Sequence, residues 1–208
     1  MTEQPTSGVV NHGGSDQLGR EAIRQINPNV LGIIIFISSE AIFFLSLIVT
    51  YVVYRGASTS GPGAHVLNVP VTAVFTLFLW SSSLTMARVT AHLGRNDVAG
   101  VRRWLLITIL LGAIFLVGQG YEYYHLYADN VTISRNLWAS TFFTVTGFHG
   151  LHVLVGLISM SIMAGVISPG ENHPWGATGV EAVSLYWHFV DAVWVVIFPV
   201  VYLWTLIS

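Results

Sequence analysis

The stretch Tyr186-Trp187-His188-Phe189-Val190-Asp191-Ala192-Val193-Trp194 lies in the middle of the last hydrophobic segment of the chain. That segment, residues ~180–207, is long enough to cross a membrane as one helix, which needs about 20 mostly apolar residues. It nevertheless carries a histidine and an aspartate three positions apart. An ionisable group at the membrane centre costs at least ~2.5–3.5 kcal/mol unless it is paired, hydrated or neutral. We therefore expect His188 and Asp191 to find partners inside protein.

The composition is that of an integral membrane protein. Hydrophobic residues make up 53% of the chain and charged residues only 9%, with a mean hydropathy of +0.67, whereas soluble domains carry about 25% charged residues. The absence of cysteine excludes disulfides, thiolate metal sites and cysteine nucleophiles. All eight basic residues are arginine, and no basic pattern indicates a nucleic-acid partner.

Five segments reach membrane-spanning length, which predicts an all-α fold: a polytopic membrane protein with a bundle of five transmembrane helices. The segments are residues ~30–54, ~68–93, ~101–127, ~137–167 and ~180–207. Asn68 is placed to cap the second helix, with Pro70 in its first turn. Short connections predict antiparallel neighbours in one transmembrane domain, 29–208. A polar, flexible tail, 1–28, precedes it, with a short interfacial helix over 18–26 as the alternative.

The arginines predict the orientation of the bundle. Six lie on the side of the N-terminus and two on the other side. These are Arg20, Arg24, Arg88, Arg95, Arg102 and Arg103 against Arg55 and Arg135. Because arginine-rich connections stay in the cytoplasm, the N-terminus is expected inside and, after five crossings, the C-terminus outside.

Further ionisable side chains recur at a similar depth. At 1.5 Å per residue, Glu40 lies roughly 15 Å from the inner start of the first helix, and Asp191 roughly 16 Å from that of the fifth. His149 and His152 are three residues apart and so share one face of the fourth helix. Together with His188, we predict that these groups form a polar cluster between the helices.

The histidines admit three interpretations. Structural hydrogen bonding of His149, His152, His188 and Asp191 is favoured, and a proton relay is the second interpretation. The third is haem ligation by His149 or His152 together with His188, but bulky aromatic neighbours would fill the space that a haem needs. Those neighbours are Phe148, Trp187, Phe189 and Trp194.

Other candidate residues have both a structural and a functional interpretation. Glu40 is either a neutral acid bonded to a neighbouring helix or a site that exchanges protons or contacts lipid. Glu122 lies near the outer end of the third helix among tyrosines, which suggests an interfacial belt. Gly112, Gly118 and Gly120 either allow close helix approach or are merely small.

Motifs in four of the helices resemble those of one known family. The most specific are Ser140-Thr141-Phe142-Phe143-Thr144-Val145-Thr146-Gly147-Phe148-His149-Gly150-Leu151-His152-Val153 and Tyr186-Trp187-His188-Phe189-Val190-Asp191. Three shorter matches add to these two, at Ser38-Ser39-Glu40, residues 106–112 and residues 119–123. The matches occur along the chain in the order in which the family has them. The pattern resembles subunit III of the haem–copper terminal oxidases, the cytochrome c oxidase subunit 3 family, in its five-helix bacterial form.

The resemblance implies a non-catalytic core subunit of a proton-pumping oxidase in aerobic respiration, within a bacterial cell membrane. Haem and copper then belong to subunits I and II, and this chain holds no cofactor, metal ligand or catalytic residue of its own. Subunit III packs against subunit I, supports proton uptake and turnover durability, and carries phospholipid. The lipid cleft of longer members uses two helices that this chain lacks, so here it would need another subunit.

The resemblance also assigns expectations to individual residues. Glu40 matches a membrane-buried carboxyl that faces subunit I, and Arg88 is a candidate contact to a lipid headgroup. The polar interior positions of the family match His149, His152, His188, Asp191 and Glu122. Glutamate at position 40 favours a cytochrome c oxidase, because quinol-oxidising relatives tend to have aspartate there.

Three alternatives to a cytochrome c oxidase subunit stay open. The chain could be subunit III of a quinol oxidase, or a small membrane cytochrome b with a bis-histidine haem. A proton-coupled transporter using Glu40 and Asp191 is the third, although the chain lacks the inverted repeats and broken helices typical of that class.

Overall fold

The computed structural model describes residues 28–55, 66–167 and 174–206, and every regular element in these ranges is helical. The elements are α1 (Pro28–Arg55), α2 (Val69–Leu93), α3 (Val98–Ala128), α4 (Leu137–Val166), α5 (Pro174–Val201) and a short 3-10 helix (Leu203–Leu206). All five α-helices are long and apolar enough to cross a membrane, which confirms the predicted all-α, five-helix architecture. The predicted polar tail lies outside the described residues except for Pro28, which begins α1.

Side-chain caps fix where two of the helices begin. Asn68 accepts a hydrogen bond of 3.3 Å from the first turn of α2, and a proline follows in that turn, as predicted. Asp97 accepts a hydrogen bond of 2.9 Å from the backbone N–H of Gly100. This cap begins α3 at Val98, three residues before the predicted start, because a satisfied N-terminal N–H group stabilises an extra turn.

The last helix differs from its predicted bounds at both ends. It begins at Pro174 rather than at residue ~180, and it gives way at Val201 to the 3-10 helix Leu203–Leu206. Pro199 lies inside its final turn. Proline has no N–H to donate to the carbonyl four residues earlier, so a helix that contains it is weakened at this point.

The helices do not pack strictly in chain order. α2 and α3 share the most extensive contact, whereas α5 is central and packs against α1, α2 and α4. The main contacts of α1 are with α4 and α5 rather than with α2, which differs from the predicted antiparallel pairing of consecutive helices. The connection between α1 and α2 spans residues 56–68. The structure describes residues 66–68 of this connection.

The indole ring of Trp187 lies at the centre of the bundle. It is fully buried and fills a slot between α3 and α4, where a Cβ atom on Gly112 or on Gly156 would lie 2.7 Å from the ring. Of the two interpretations of the glycines, close helix approach therefore applies to Gly112, and also to Gly118, where a Cβ would collide with a phenylalanine of α2. Gly120 has open space around it and is merely small.

Hydrogen bonds between two tryptophans and two hydroxyl groups join α5 to α2. Trp187 donates its indole N–H to Oγ of Ser82, and Trp194 donates to Oγ1 of Thr76, both over 3.0 Å. Each hydroxyl donates its own proton to a carbonyl three or four residues earlier in α2. Its lone pairs are therefore free to accept a hydrogen bond from the indole N–H. We call these two tryptophan–hydroxyl contacts between α5 and α2 the tryptophan–hydroxyl seam.

Candidate functional site

Glu40 and His152 form a pair that joins α1 to α4 at the middle of the span. Oε2 of Glu40 lies 3.1 Å from Nε2 of His152. His152 is about 20 Å from either end of α4, at 1.5 Å per residue. The side chain of Glu40 is 22% exposed and that of His152 is 14% exposed. The structure therefore brings together two of the predicted polar residues, at the depth the sequence indicated.

The second ring nitrogen of His152 determines how many protons the Glu40–His152 contact can hold. Nδ1 lies 2.7 Å from the carbonyl oxygen of Phe148, and because a carbonyl only accepts, Nδ1 carries a proton. Nε2 and the Glu40 carboxyl then share a single proton between them. Either Glu40 is a neutral acid that donates to a neutral ring, or His152 is charged and donates to a carboxylate. Both forms satisfy the contact, so the pair can hold one proton in two places.

Aromatic groups support the pair from α1 and α5. The ring of Phe44 contacts that of His152 edge-on, with 4.8 Å between centroids. The hydroxyl of Tyr186 donates to the backbone carbonyl of His152 over 3.1 Å. Tyr186 belongs to the stretch with which the sequence argument began, so that stretch reaches the pair through its tyrosine rather than through His188 or Asp191.

His149 lies one turn away in a wholly different setting. It is 0% exposed and stacks on Trp194 with 4.7 Å between ring centroids. Phe115 contacts the ring edge-on at 5.9 Å. Neither ring nitrogen has a hydrogen-bond partner among the described residues. The predicted hydrogen bonding of His149 is therefore wrong for the described part of the chain, because aromatic rings occupy the positions that polar partners would need.

His188 and Asp191 face α2 rather than the pair on α1 and α4. Nδ1 of His188 lies 2.8 Å from the hydroxyl oxygen of Ser83. That hydroxyl is also close to the Asp191 carboxyl, yet neither carboxyl oxygen makes a well-directed hydrogen bond within the described ranges. The predicted single cluster is thus divided in two. Depth along a helix gives the height of a residue but not the direction in which its side chain points.

Glu122 is buried inside the bundle rather than placed in an interfacial belt. It is 8% exposed, and its two oxygens contact hydroxyls of Thr72 (3.0 Å) and Tyr202 (2.7 Å). The tyrosines beside it, Tyr121 and Tyr124, do face outward. The belt interpretation holds for the tyrosines and is wrong for Glu122, because adjacent residues of a helix point about 100° apart.

The histidines do not fit a haem. A bis-histidine haem would need the ring of His149 or His152 and that of His188 to face one open space. Trp194 covers one face of His149, while His152 contacts Glu40 and His188 contacts a serine. Across residues 28–55, 66–167 and 174–206, no group of three or more histidine, aspartate or glutamate side chains is close enough to hold a metal ion.

Another set of polar contacts joins α2 to α3 beside the turn that connects them. The indole N–H of Trp104 donates to Nε2 of His92 over 3.1 Å, and Nδ1 of the same ring lies 2.8 Å from Oδ2 of Asp97. Because Nε2 accepts, Nδ1 is the nitrogen that carries the proton in the neutral ring. The guanidinium of Arg88 lies over the Trp104 ring, 5.5 Å from its centroid. Arg88 is thus held by an aromatic face at the membrane boundary.

The carboxyl of Asp97 accepts hydrogen bonds from two donors at once. The backbone N–H of Gly100 first, and the His92 ring second, hold the pKa of Asp97 below its usual value. Hydrogen bonds to the charged form favour ionisation. The cap on α3 is therefore a carboxylate at neutral pH, next to the positive end of the helix dipole.

Several partners of these residues give little signal in the sequence. Ser83, Thr72 and Tyr202 each contact an ionisable side chain, yet a hydroxyl in a transmembrane helix often bonds only to its own backbone. The orientation of Glu122 does have a signal, namely its spacing. Gly118, Gln119 and Leu126, three or four positions away along α3, are also buried.

Comparisons with known proteins agree with this architecture. The sequence profile of the family described as cytochrome c oxidase subunit III matches residues 17–206. A cytochrome c oxidase subunit 3 from Corynebacterium diphtheriae is 43% identical over 197 residues, which cover 91% of this chain and 96% of the relative. One from Synechocystis sp. is 41% identical over 177 residues, covering 84% and 75%.

A subunit of a quinol-oxidising complex is almost equally similar. The cytochrome bo(3) ubiquinol oxidase subunit 3 of Pseudomonas putida is 40% identical over 175 residues, which cover 84% of each chain. The profile match and these identities extend over most of the chain, including all five membrane-spanning helices. The chain therefore belongs to the cytochrome c oxidase subunit III family, as a multi-pass membrane subunit of an oxidase complex whose other subunits are its partners.

Proposed function

We propose that this chain is the non-catalytic core subunit III of a proton-pumping cytochrome c oxidase in a bacterial cell membrane. In this role it stabilises subunit I, supports proton uptake and holds phospholipid, while haem and copper stay in subunits I and II. The proposal is supported by the membership of the family and by the setting of the histidines, which are engaged by protein side chains. A quinol oxidase subunit III is the second candidate, favoured by the Pseudomonas putida relative.

The Glu40–His152 pair is the observation that carries the proposal. It lies at mid-span on the edge of the bundle, and part of each side chain stays exposed. Ionisable groups at this depth face protein or a wet cavity rather than lipid tails, because the hydrocarbon cannot solvate them. The edge formed by α1 and α4 therefore needs cover from another subunit, and subunit I is the partner we propose for it.

A groove beside the pair supports the proposed lipid site. It has a volume of about 210 Å³ and is bounded by α1, α4 and α5, with Phe36, Val155 and Tyr186 among its lining residues. Apolar walls at mid-span suit an acyl chain. We propose that a phospholipid tail occupies this groove, and that Arg88, at another edge, contacts a lipid headgroup.

The orientation belongs to the same proposal. The arginine-rich turn between α2 and α3 lies at one end of the bundle, with Arg95, Arg102 and Arg103 all exposed. The rule that basic connections stay in the cytoplasm places this end inside. The N-terminus is then cytoplasmic and the C-terminus faces outward.

The experiment that tests this function replaces Glu40 in the whole oxidase. Glu40→Ala is expected to leave the initial rate of oxygen reduction near that of the wild type, because the redox centres lie elsewhere. Subunit I should dissociate more readily in detergent, and activity should decay faster under sustained turnover. Both are measured on purified complex, by subunit composition and by oxygen consumption over repeated turnovers.

Ser39→Ala is the matched control. Ser39 precedes Glu40 on α1, is exposed, and donates its hydroxyl proton to a carbonyl of its own helix. This variant should retain wild-type subunit composition and durability. Wild-type composition and decay rate in Glu40→Ala would contradict the role proposed for the pair, whereas immediate loss of all activity would place Glu40 in the catalytic path.

A further inference from the structure

A cavity opens at the end of the bundle where α2 begins and α3 ends. Its volume is about 210 Å³, and its rim includes the exposed residues Asn68, His125 and Asp129. A water molecule takes up about 30 Å³ in the liquid, so several fit inside. The polar rim lies at the helix ends, where a membrane protein meets water. We call this cavity the vestibule.

Glu122 lies at the inner end of the vestibule. Its carboxyl lines the cavity together with Thr72, and the hydroxyl of Tyr202 donates to Oε2 over 2.7 Å. No arginine or histidine in the described part of the chain forms an ion pair with it. A buried carboxylate without a countercharge is costly, and the donors that contact Glu122 within the described ranges are the hydroxyls of Thr72 and Tyr202.

The number of protons available for hydrogen bonds around Thr72 favours a protonated Glu122 that donates to it. The Thr72 hydroxyl has one proton and two acceptors within reach, the backbone oxygen of Asn68 at 3.1 Å and Oε1 of Glu122 at 3.0 Å. If Glu122 is a carboxylate, the Thr72 hydroxyl donates to only one of them, and the Asn68 oxygen keeps the bond from the Thr72 backbone N–H. If Glu122 is protonated, it donates to Thr72 and Thr72 donates to Asn68. The protonated form therefore satisfies one more hydrogen bond.

A smaller void continues beyond Glu122. Its volume is about 10 Å³, and Thr72 and Glu122 line it as they line the vestibule, together with Gln119. The amide nitrogen of Gln119 donates to the carbonyl oxygen of Thr146 over 2.6 Å. Its buried Oε1 has no partner in the ranges that the structure describes. A space of this size holds at most one water. Oε1 faces α4 instead, where a Cβ added to Gly150 would lie 2.7 Å from it.

We propose that the vestibule is a water-filled inlet through which the Glu122 carboxyl exchanges its proton with the aqueous phase. In the exchange, Glu122 transfers its proton to a vestibule water, which becomes hydronium. The carboxylate that is left accepts hydrogen bonds from Thr72 and Tyr202 until a proton returns. This site lies on α2 and α3 and is separate from the Glu40–His152 pair.

The first test measures access of water to the vestibule. The chain has no cysteine, so Val71→Cys introduces one thiol into the vestibule wall, and Val74→Cys places one on the exposed outer face of the same helix. Both variants are assembled into the whole oxidase, reconstituted in liposomes, and treated with a charged, membrane-impermeant methanethiosulfonate reagent. Labelling is read on this chain by mass spectrometry.

Val71→Cys is expected to react roughly tenfold faster than Val74→Cys or more, because the thiolate that attacks the reagent forms only in contact with water. A maleimide added after denaturation in detergent should label both variants, which shows that both thiols are present and free. Equal rates with the charged reagent, or protection of Val71→Cys alone, would overturn the proposal.

The second test follows the proton itself by infrared spectroscopy. The wild-type oxidase should show a protonated-carboxyl band that shifts when the buffer is changed to D2O, and Glu122→Gln should lack that band. Glu122→Asp keeps the acid and should keep an exchanging band at a shifted position, which covers the case in which Glu122→Gln fails to assemble. A band that does not respond to D2O, or one that survives in Glu122→Gln and is unmoved in Glu122→Asp, would refute the exchange.

Discussion

Asp97 joins the turn between α2 and α3 to the start of α3. Its carboxylate accepts from the Gly100 backbone and from His92, whose other nitrogen accepts from Trp104. These bonds lower the pKa of Asp97, which makes the cap sensitive to acid. A group whose pKa is lowered by folding contributes stability above its unfolded pKa, about 3.9 for aspartate, and loses it as the pH falls through the folded value.

Asp97→Asn isolates the charge from the hydrogen bond, because asparagine still caps a helix but does not titrate. The wild-type complex is expected to melt at a higher temperature than the variant at neutral pH, with the difference shrinking as the pH falls below about 4. Thermal unfolding between neutral and acidic pH checks this, with Glu181→Gln, at an exposed position, as control. A difference that persists unchanged at the lowest pH would show that the charge has no role.

His149 should tolerate an apolar replacement. Both ring nitrogens are buried without a partner in the described ranges, and the ring stacks on Trp194. Replacing a polar group that makes no hydrogen bond by one of similar shape is close to neutral or stabilising. We expect His149→Phe to stay within about 1 kcal/mol of the wild type in thermal unfolding of the complex.

His152→Phe is the matched comparison, three residues further along the same helix. It leaves Glu40 without its partner, and an unsatisfied buried polar group costs about 1–3 kcal/mol. The melting temperature of His152→Phe should therefore fall below that of His149→Phe. An equal loss in both variants would show that His149 has a polar partner, such as an internal water.

At the scale of the helices, one indole ring holds three elements together. Trp187 donates to Ser82 on α2 and fills the slot between Gly112 on α3 and Gly156 on α4. A methyl group on either glycine would meet the ring at 2.7 Å, a distance that forces the helices apart. Overpacking of this kind costs about 1–3 kcal/mol.

Gly112→Ala is accordingly expected to destabilise the bundle, and Gly156→Ala likewise. Gly120→Ala supplies the control on α3, because nothing lies within 4 Å of its added methyl and alanine favours a helix over glycine by about 1 kcal/mol. Melting temperatures of the three variants should order as Gly120→Ala above wild type and the other two below it. A stabilised Gly112→Ala would mean that the ring of Trp187 lies elsewhere.

The helices themselves could be predicted from apolar length and caps, but the contacts between them could not. Asn68 and Pro70 mark the start of α2 in the sequence as in the structure. Nothing comparable in the sequence indicates that His188 faces Ser83 while His152 faces Glu40. Hydrophobic residues cover every side of a membrane helix, so the apolar pattern that reveals the buried face of a soluble helix is absent.

For the whole molecule, the question is where the oxidation chemistry takes place. The purified chain alone is expected to show no haem absorbance, because Trp194 occupies the space beside His149 that a porphyrin would need. The native complex should show haem bands and contain a larger, histidine-rich subunit. A Soret band on the isolated chain would support a cytochrome b instead. Turnover of the complex with reduced cytochrome c, compared with a quinol, separates the two oxidase classes.

The tryptophan–hydroxyl seam also bears on how the protein is made. α5 is the last of the five helices to leave the ribosome, yet it supplies both indole donors of the seam and the ring that fills the slot between α3 and α4. Until α5 enters the membrane, the slot between Gly112 on α3 and Gly156 on α4 has no indole ring to fill it. The packing of α3 against α4 is therefore completed only when α5 has entered the membrane.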